Sequence, residues 1–426
     1  MRLTVVPGIA ASVLISLAIF APAGAAENAA GLEARVAALE SELQTLKSEL
    51  ATLRSTPAPG LEPVASPEPA AHPEPSVRPA LSWFGYGELN YTRPSNDRAE
   101  ARADVERFVV GLGYRFNERT RLQSELEIEH AVSSAGDPGE VAIEQAYIEH
   151  ELGPSVQAKM GLFLIPSGLL NENHEPTRYY GVFRNFVETA IIPTTWREGG
   201  VGLQGNTRGG LRWDAGLTTG FDLSRWDTSS TDGADSPLGS IHQELALARA
   251  AELSTYLAAD YLGRPGLRVG ASVFTGGAGQ RQPGLDNNRV TLWEAHARWQ
   301  PGHWDLAALY ARGHISNTAA VNAGLVGMPT LIPENFYGWY GEAAWRGWRQ
   351  HRWPVTPFVR YERFNTAASY STLASGLAPP ALPTRRAITA GVQLELAPGV
   401  IVKADYVDLA TPEDGDRIDL GLGYEF

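Results

Sequence analysis

The chain has 426 residues, of which 19% are charged, with a formal net charge of −13 and no cysteine. Such an acidic chain is a poor candidate for nucleic-acid binding, which requires Lys and Arg clustered on one face. Without cysteine it cannot form a disulfide or a thiolate metal site. Its mean hydropathy is slightly negative, which fits a soluble protein and equally a membrane barrel whose strands alternate apolar and polar residues.

The first 26 residues have the pattern of a secretory signal peptide. Arg2 supplies a positive start, residues 9–20 form a short apolar run, and Ala23-Gly24-Ala25 offers a small-residue cleavage site. No second run of about 18 apolar residues follows, so we expect no transmembrane helix. An exported chain that is integral to a membrane must then be a closed barrel.

Residues 27–56 carry a heptad repeat. The apolar spacing alternates between four and three, as in a coiled-coil seam, and the seam consists of Leu32, Val36, Leu39, Leu43, Leu46, Leu50 and Leu53. We expect a short α-helical coiled coil through which chains associate; an amphipathic helix packed on its own domain is the alternative. Residues 57–80, rich in Pro, Ala and Glu, predict an extended linker because they cannot bury enough apolar surface to fold.

Residues 81–426 contain repeated stretches that alternate between apolar and polar or small side chains. In the last stretch, residues 417–426, every second residue is apolar or aromatic and the others are charged or glycine. A soluble β-sandwich also alternates, but its strands are mostly about 5–6 residues long. The stretches here have the length of about 9–11 residues that a tilted membrane strand requires. The pattern therefore predicts an all-β, transmembrane antiparallel β-barrel, with the charged and glycine face of residues 417–423 towards a wet lumen.

Turn residues between these stretches form two classes. Short turns such as 117–119, 153–155, 301–302 and 398–399 alternate with longer connections, which is the asymmetry of periplasmic turns and external loops. Counting strands this way gives about 16, although the stretch around 141–152 alternates poorly. Side chains cannot fill a barrel of that size, so we expect a water-filled channel.

The stretch from Glu144 to Gly205 resembles outer-membrane porins of the group of phosphate-selective porins O and P, and the terminal GLGYEF resembles the end of barrel proteins generally. The resemblance implies a porin, commonly a trimer and in some members one with a periplasmic coiled coil. Phosphate-selective members are similar in having lysine-rich pores, whereas only Lys159 and Lys403 lie in this barrel region. The resemblance therefore does not extend to phosphate selectivity, although arginines could still build an anion site.

The longest segment without strand alternation, residues 166–200, is the candidate pore constriction. If this loop folds into the lumen, its charged groups would set a field across the pore; an ordinary external loop is the alternative. Its candidate residues are Asn173, His174, Glu175, Arg178, Arg184, Glu188 and Arg197, and the candidate residues of the opposing wall are Arg107, Glu125, Glu127, Arg212, Arg298 and Arg360.

The sequence thus predicts a porin in the bacterial outer membrane, with its N-terminal segment in the periplasm. We expect passive diffusion of small hydrophilic solutes and ions, a mild cation preference, contact with outer-membrane lipid, and a homotrimer. No catalytic, cofactor or metal site is expected, because the histidines lack metal-type spacing. Two other functions stay open: a substrate-specific channel for phosphate, another anion, or sugars sliding along Trp83, Phe84, Tyr86 and Tyr340, and an envelope anchor that contacts peptidoglycan through the coiled coil.

Overall fold

The computed structural model describes residues 80–426 apart from 133–138, 286, 378 and 411–414, together with residues 41, 44, 45, 47 and 48. In the unit that precedes residue 75, those five residues are helical. The predicted signal peptide, nearly all of the linker and every residue of the heptad seam lie outside the described residues. Within the described part of the chain, no helix is long and apolar enough to cross a bilayer.

In its described residues, the unit from residue 75 onward contains 17 strand segments. They are β1 (Ala80–Pro94), β2 (Arg102–Arg115), β3 (Thr120–Glu129), β4 (Val141–Gly153), β5 (Val156–Leu164), β6 (Arg197–Asn206), β7 (Leu211–Thr218), β8 (Ser254–Arg264), β9 (Leu267–Gly277), β10 (Arg289–Trp299), β11 (Trp304–Ile315), β12 (Asn335–Trp345), β13 (Trp348–Gln350), β14 (Trp353–Ser369), β15 (Arg385–Ala397), β16 (Val400–Ala410) and β17 (Arg417–Glu425).

In this unit, the helical turns among the described residues all lie in the connections between strands. They are Arg98–Glu100, Pro176–Arg178, Val187–Ile191, Leu223–Arg225, Asp232–Asp235, Gly239–Ile241 and Thr318–Ala323.

The sheet closes on itself as a 16-stranded antiparallel barrel. Each strand pairs with its sequence neighbours, and β1 also pairs with β17 in a register that runs from Tyr86↔Glu425 to Pro94↔Arg417. The three-residue β13 continues β12, because both pair with β14. Closure leaves no free sheet edge, which is the condition for a sheet to span a membrane. It confirms the predicted all-β antiparallel barrel of about 16 strands, whereas the predicted coiled coil stays a prediction.

The two classes of turn lie at opposite ends of the barrel. Tight turns join β2 to β3, β4 to β5, and β15 to β16 at one end, and β1 starts at this end, opposite Arg115 of β2. Longer connections lie at the other end. The longest of them among the described residues is 219–253, not the predicted 166–200, because residues 197–200 already belong to β6. Their sequence, Arg-Glu-Gly-Gly, offers no apolar residue that would show alternation.

The alternation expected from the sequence separates an outer from an inner face. Trp83 and Leu89 are 64% and 39% exposed on the outer face of β1, whereas Tyr86 and Glu88 point inward and are buried. The proposed sugar slide is therefore wrong at Trp83, which faces away from the lumen. The interior is also drier than expected, because one side of it is packed with apolar side chains.

Candidate functional site

The connection between β5 and β6, residues 165–196, folds into the barrel, and we call it the lumen loop. The Tyr179 hydroxyl donates to Glu88 on β1 at 2.7 Å. The backbone N–H of Val182 donates to Asp405 on β16 at 2.6 Å, and that of Phe186 donates to Glu362 on β14 at 2.7 Å. These acceptors are inward-facing wall residues, so the loop lies against the inner wall of β14, β16 and β1.

An apolar cluster fixes the C-terminal half of the lumen loop. Trp196 is fully buried, stacks on Phe221 with 5.3 Å between ring centroids, and meets Phe274 of β9 edge-on at 4.5 Å. Val187 and Ile191 of the loop join this cluster, together with wall side chains from β8 to β12 and β14 and with residues of the 219–253 loop. Each such side chain contributes about 1.5–3 kcal/mol on burial. Three cavities lie beside β1, β3 to β7, the end of β17 and the turn between β15 and β16.

Glu188 is a hydrogen-bonded centre of the lumen loop. One carboxylate oxygen accepts from the backbone N–H groups of Leu169 and Leu170 at 2.6 and 2.8 Å. The other accepts from the Asn185 amide at 2.8 Å and from the Tyr340 hydroxyl of β12 at 2.9 Å. A buried carboxylate with four donors is a structural group, so Glu188 holds the two parts of the loop together, joins them to Tyr340 of the wall, and does not face a passing solute.

Glycines on the inner face of β17 receive the lumen loop. A Cβ placed on Gly423 would lie 2.7 Å from Cβ of Pro176, and one on Gly421 would lie 3.0 Å from a methyl group of Val182. The expectation that this face lines a wet lumen is therefore wrong at these two positions. A residue with a side chain would crowd the loop at either position, because loop atoms lie against both glycines.

The other predicted loop residues divide into two groups. Arg184 is buried and donates to Thr194, Thr195 and the carbonyl of His174, and Arg197 is buried in an ion pair with Glu244 at 3.1 Å, so both arginines support the loops. Asn173, Glu175 and Arg178 reach open space: Asn173 is exposed, and the other two side chains line a cavity.

The predicted wall arginines all have carboxylate partners. Arg107 lies between Glu88 at 2.8 Å and Glu127 at 3.3 Å. The other pairs are Arg212 with Glu172, Arg298 with Asp305, and Arg360 with Glu342 and Glu362. Because each guanidinium is paired with a carboxylate, these arginines add little net positive potential to the wall.

Open space below the loop forms what we call the acidic vestibule. It consists of three adjoining cavities of about 510, 470 and 300 Å³, all lined by Glu172. Its carboxylates are Glu125, Glu149, Glu151, Glu172, Glu175 and Glu425, and its cationic side chains are Lys159, Arg178 and Arg212, with His174. Lys159 is itself paired with Asp214 at 2.5 Å. Carboxylates therefore dominate the vestibule field.

Sequence reasoning missed Glu144 because a β-bulge hides its direction. The register between β3 and β4 passes from Glu125↔Gln145 to Leu126↔Ile143, which leaves Glu144 as the extra residue. Bulges redirect side chains, and here Glu144 and Gln145 are both buried on the inner side. The poor alternation of the 141–152 stretch was the only signal of this in the sequence.

The bulge places Glu144 against His174 of the lumen loop. Nε2 of the imidazole lies 2.9 Å from a carboxylate oxygen of Glu144, and Nδ1 lies 3.0 Å from the carbonyl oxygen of Asn171. Burial is the largest single effect and lowers the pKa of His174, but the charge and hydrogen bonding of Glu144, together with the Asn171 carbonyl, raise that pKa overall. This contact links the tip of the loop to the barrel wall.

A protein of Aquifex aeolicus, described as uncharacterized, is 31% identical to this chain over 344 residues, which covers 78% of this chain and 77% of that protein. The chain belongs to the family of this Aquifex protein. No protein-family model matches this chain.

Solved structures share the barrel fold of this family at low sequence identity. The complex of Salmonella typhi OmpF with daunomycin has a TM-score of 0.56 and 13% identity, covering 81% of this chain and 97% of that chain. A loop-deletion mutant of OmpT, an outer membrane protein of Vibrio cholerae, has a TM-score of 0.52 and 10% identity, covering 82% of this chain and 99% of that chain. This chain therefore has the 16-strand fold of outer-membrane porins.

Proposed function

We propose that this protein is an outer-membrane porin that lets small hydrophilic solutes and ions diffuse passively through its lumen. The observation that carries the proposal is the closed 16-strand barrel whose inner face, beside β1 and β3 to β7, borders the charged vestibule. A barrel of this size leaves an aqueous channel, and the lumen loop narrows it in the way a selectivity element does.

We further propose that the channel prefers cations. The wall arginines are neutralised by carboxylates, whereas the vestibule carries more carboxylates than cationic groups. A cleft lined by one sign of charge concentrates ions of the opposite sign. Lys403 is buried and donates to the carbonyl of Gly181 at 2.7 Å, so it is not available as an anion ligand in the arrangement described. This arrangement therefore gives no support to phosphate selectivity.

The assembly and the orientation are also proposals. Barrels of this kind carry short turns on the periplasmic side, and β1 begins at the short-turn end. The N-terminal segment would then lie in the periplasm, where the heptad seam could hold three chains together and contact peptidoglycan. Comparing the molecular mass in detergent of the full chain and of a chain without residues 27–56 tests this. An unchanged mass would show that residues 27–56 do not hold the chains together.

Channel formation is tested with the purified full chain in planar lipid bilayers. We expect discrete, stable conductance steps, and none from the same preparation after heat denaturation. Liposome swelling in small sugars provides a second readout that does not depend on charge. A folded barrel that inserts into the bilayer without conductance steps would refute the channel.

A further inference from the structure

Three side chains that are distant in sequence converge at the tip of the lumen loop. His174 comes from the loop, Glu125 from β3, and Glu144 from the bulge in β4, and one ligand atom of each lies within 4.8 Å of the others. His174 is 3% exposed and Glu144 is fully buried. No sequence motif joins these residues, which is why the sequence predicted no metal site.

The imidazole of His174 is oriented as a metal-binding imidazole usually is. Its Nδ1 faces the Asn171 carbonyl at 3.0 Å, and a histidine ligand commonly donates its second N–H to such a carbonyl, which fixes the tautomer. In the neutral imidazole, Nε2 then carries the lone pair and is directed at Glu144. The two atoms are 2.9 Å apart, yet neither has an aligned hydrogen-bond partner among the described residues. Either a proton on Nε2 or a bound cation must lie between the two groups, and the lack of an aligned hydrogen bond favours the cation.

Both carboxylates are held in place by a second layer of donors. The Gln145 amide donates to one oxygen of Glu125 at 2.8 Å, and the Tyr86 hydroxyl donates to one oxygen of Glu144 at 3.3 Å. One oxygen of each carboxylate thus remains for a ligand. Outer partners of this kind orient metal ligands and raise affinity.

We propose that Glu125, Glu144 and His174 bind a divalent first-row transition-metal ion of the Zn²⁺, Co²⁺ or Mn²⁺ class. One imidazole nitrogen and two carboxylate oxygens are ligands that these ions accept, and the absence of a thiolate disfavours Cu(I). Glu125 and His174 border the cavity of about 510 Å³, from which water can complete the coordination. The ion would tie the lumen loop to the barrel wall, a role independent of whether the barrel conducts.

The test is metal binding by the full chain in detergent, measured by calorimetry with Zn²⁺ and by the visible absorption of Co²⁺. We expect one ion per chain, displacement of Co²⁺ by Zn²⁺ but not by Mg²⁺, and a loss of affinity of about tenfold or more in H174Q and in E125Q. If H174Q fails to fold, the metal affinity of E125Q tests the proposal.

His296 provides the matched control. It also lies between two carboxylates, but Glu294 and Asp260 contact opposite ring nitrogens, each at 2.8 Å, so the three groups cannot chelate one ion. H296Q should bind Co²⁺ as the unchanged protein does. Absence of Co²⁺ and Zn²⁺ binding by the unchanged protein, or equal affinity in folded H174Q and E125Q, would overturn the proposal and leave an imidazolium–carboxylate ion pair at this position.

Discussion

Replacing Glu188 by alanine should destabilise the folded conformation of the lumen loop and remove its contact with Tyr340 of the wall. The substitution removes the acceptor for the backbone N–H groups of Leu169 and Leu170 and for the side chains of Asn185 and Tyr340. The barrel itself should persist, because the strand pairing of β5 with β6 and of β12 with β14 does not depend on this carboxylate.

The size of the effect follows from the donors left without a partner. A buried donor that loses its partner costs about 1–3 kcal/mol, so the loss of both backbone partners destabilises the folded conformation of the loop by about 4 kcal/mol. A tenfold population change corresponds to about 1.4 kcal/mol. The unfolded state of the loop should therefore become about 10³-fold more populated in E188A.

Single-channel recording in planar bilayers measures this change. E188A should show a larger mean conductance and more frequent current fluctuations than the unchanged protein. Y340F removes one of the four donors, so its mean conductance and its frequency of current fluctuations should lie between those of E188A and the unchanged protein. E118A, on the exposed turn between β2 and β3, is the control and should behave as the unchanged protein. Conductance and noise in E188A equal to those of the control would refute the structural role of Glu188.

Three further substitutions test other parts of the structure. G423V should displace Pro176 and change the conductance, because the new side chain needs the space of the loop; an unchanged conductance would argue against the loop's position on β17. R107M removes the cation between two buried carboxylates, Glu88 and Glu127, and should lower the free energy of unfolding by about 3–5 kcal/mol. The midpoint of urea unfolding should fall accordingly, and an unchanged midpoint would contradict the pairing. W83A should leave sugar uptake into liposomes unchanged, since Trp83 lies on the outer face. Reduced uptake would indicate that Trp83 belongs to a path for sugars.

The barrel could be predicted from the sequence because strand alternation is a local signal. In β17, each apolar residue that the pattern assigned to lipid is outward in the structure, and the closing register with β1 follows. Hydrophobic alternation determines which face of a strand is buried. It does not determine what lies against the inner face, and so Gly421 and Gly423 were assigned to water although the loop lies on them.

The arrangement of the site could be predicted only in part because it depends on pairing between distant residues. The charged loop was identified, and Glu175 and Arg178 do line open space. Whether an arginine is free or neutralised depends on the strand register that brings Glu88 and Glu127 to Arg107. The position of Glu144 depends on a bulge of one residue. Neither feature leaves a periodic signal in the chain.

The sign of the reversal potential across a salt gradient tests the central claim most directly. The acidic vestibule predicts a cation-selective channel near neutral pH, and E175Q should move the potential towards zero because Glu175 lines the open cavity. Cation preference that weakens in E175Q would support the account. Anion preference would contradict it, because it would show that the arginines and not the carboxylates control the narrowest part of the pore.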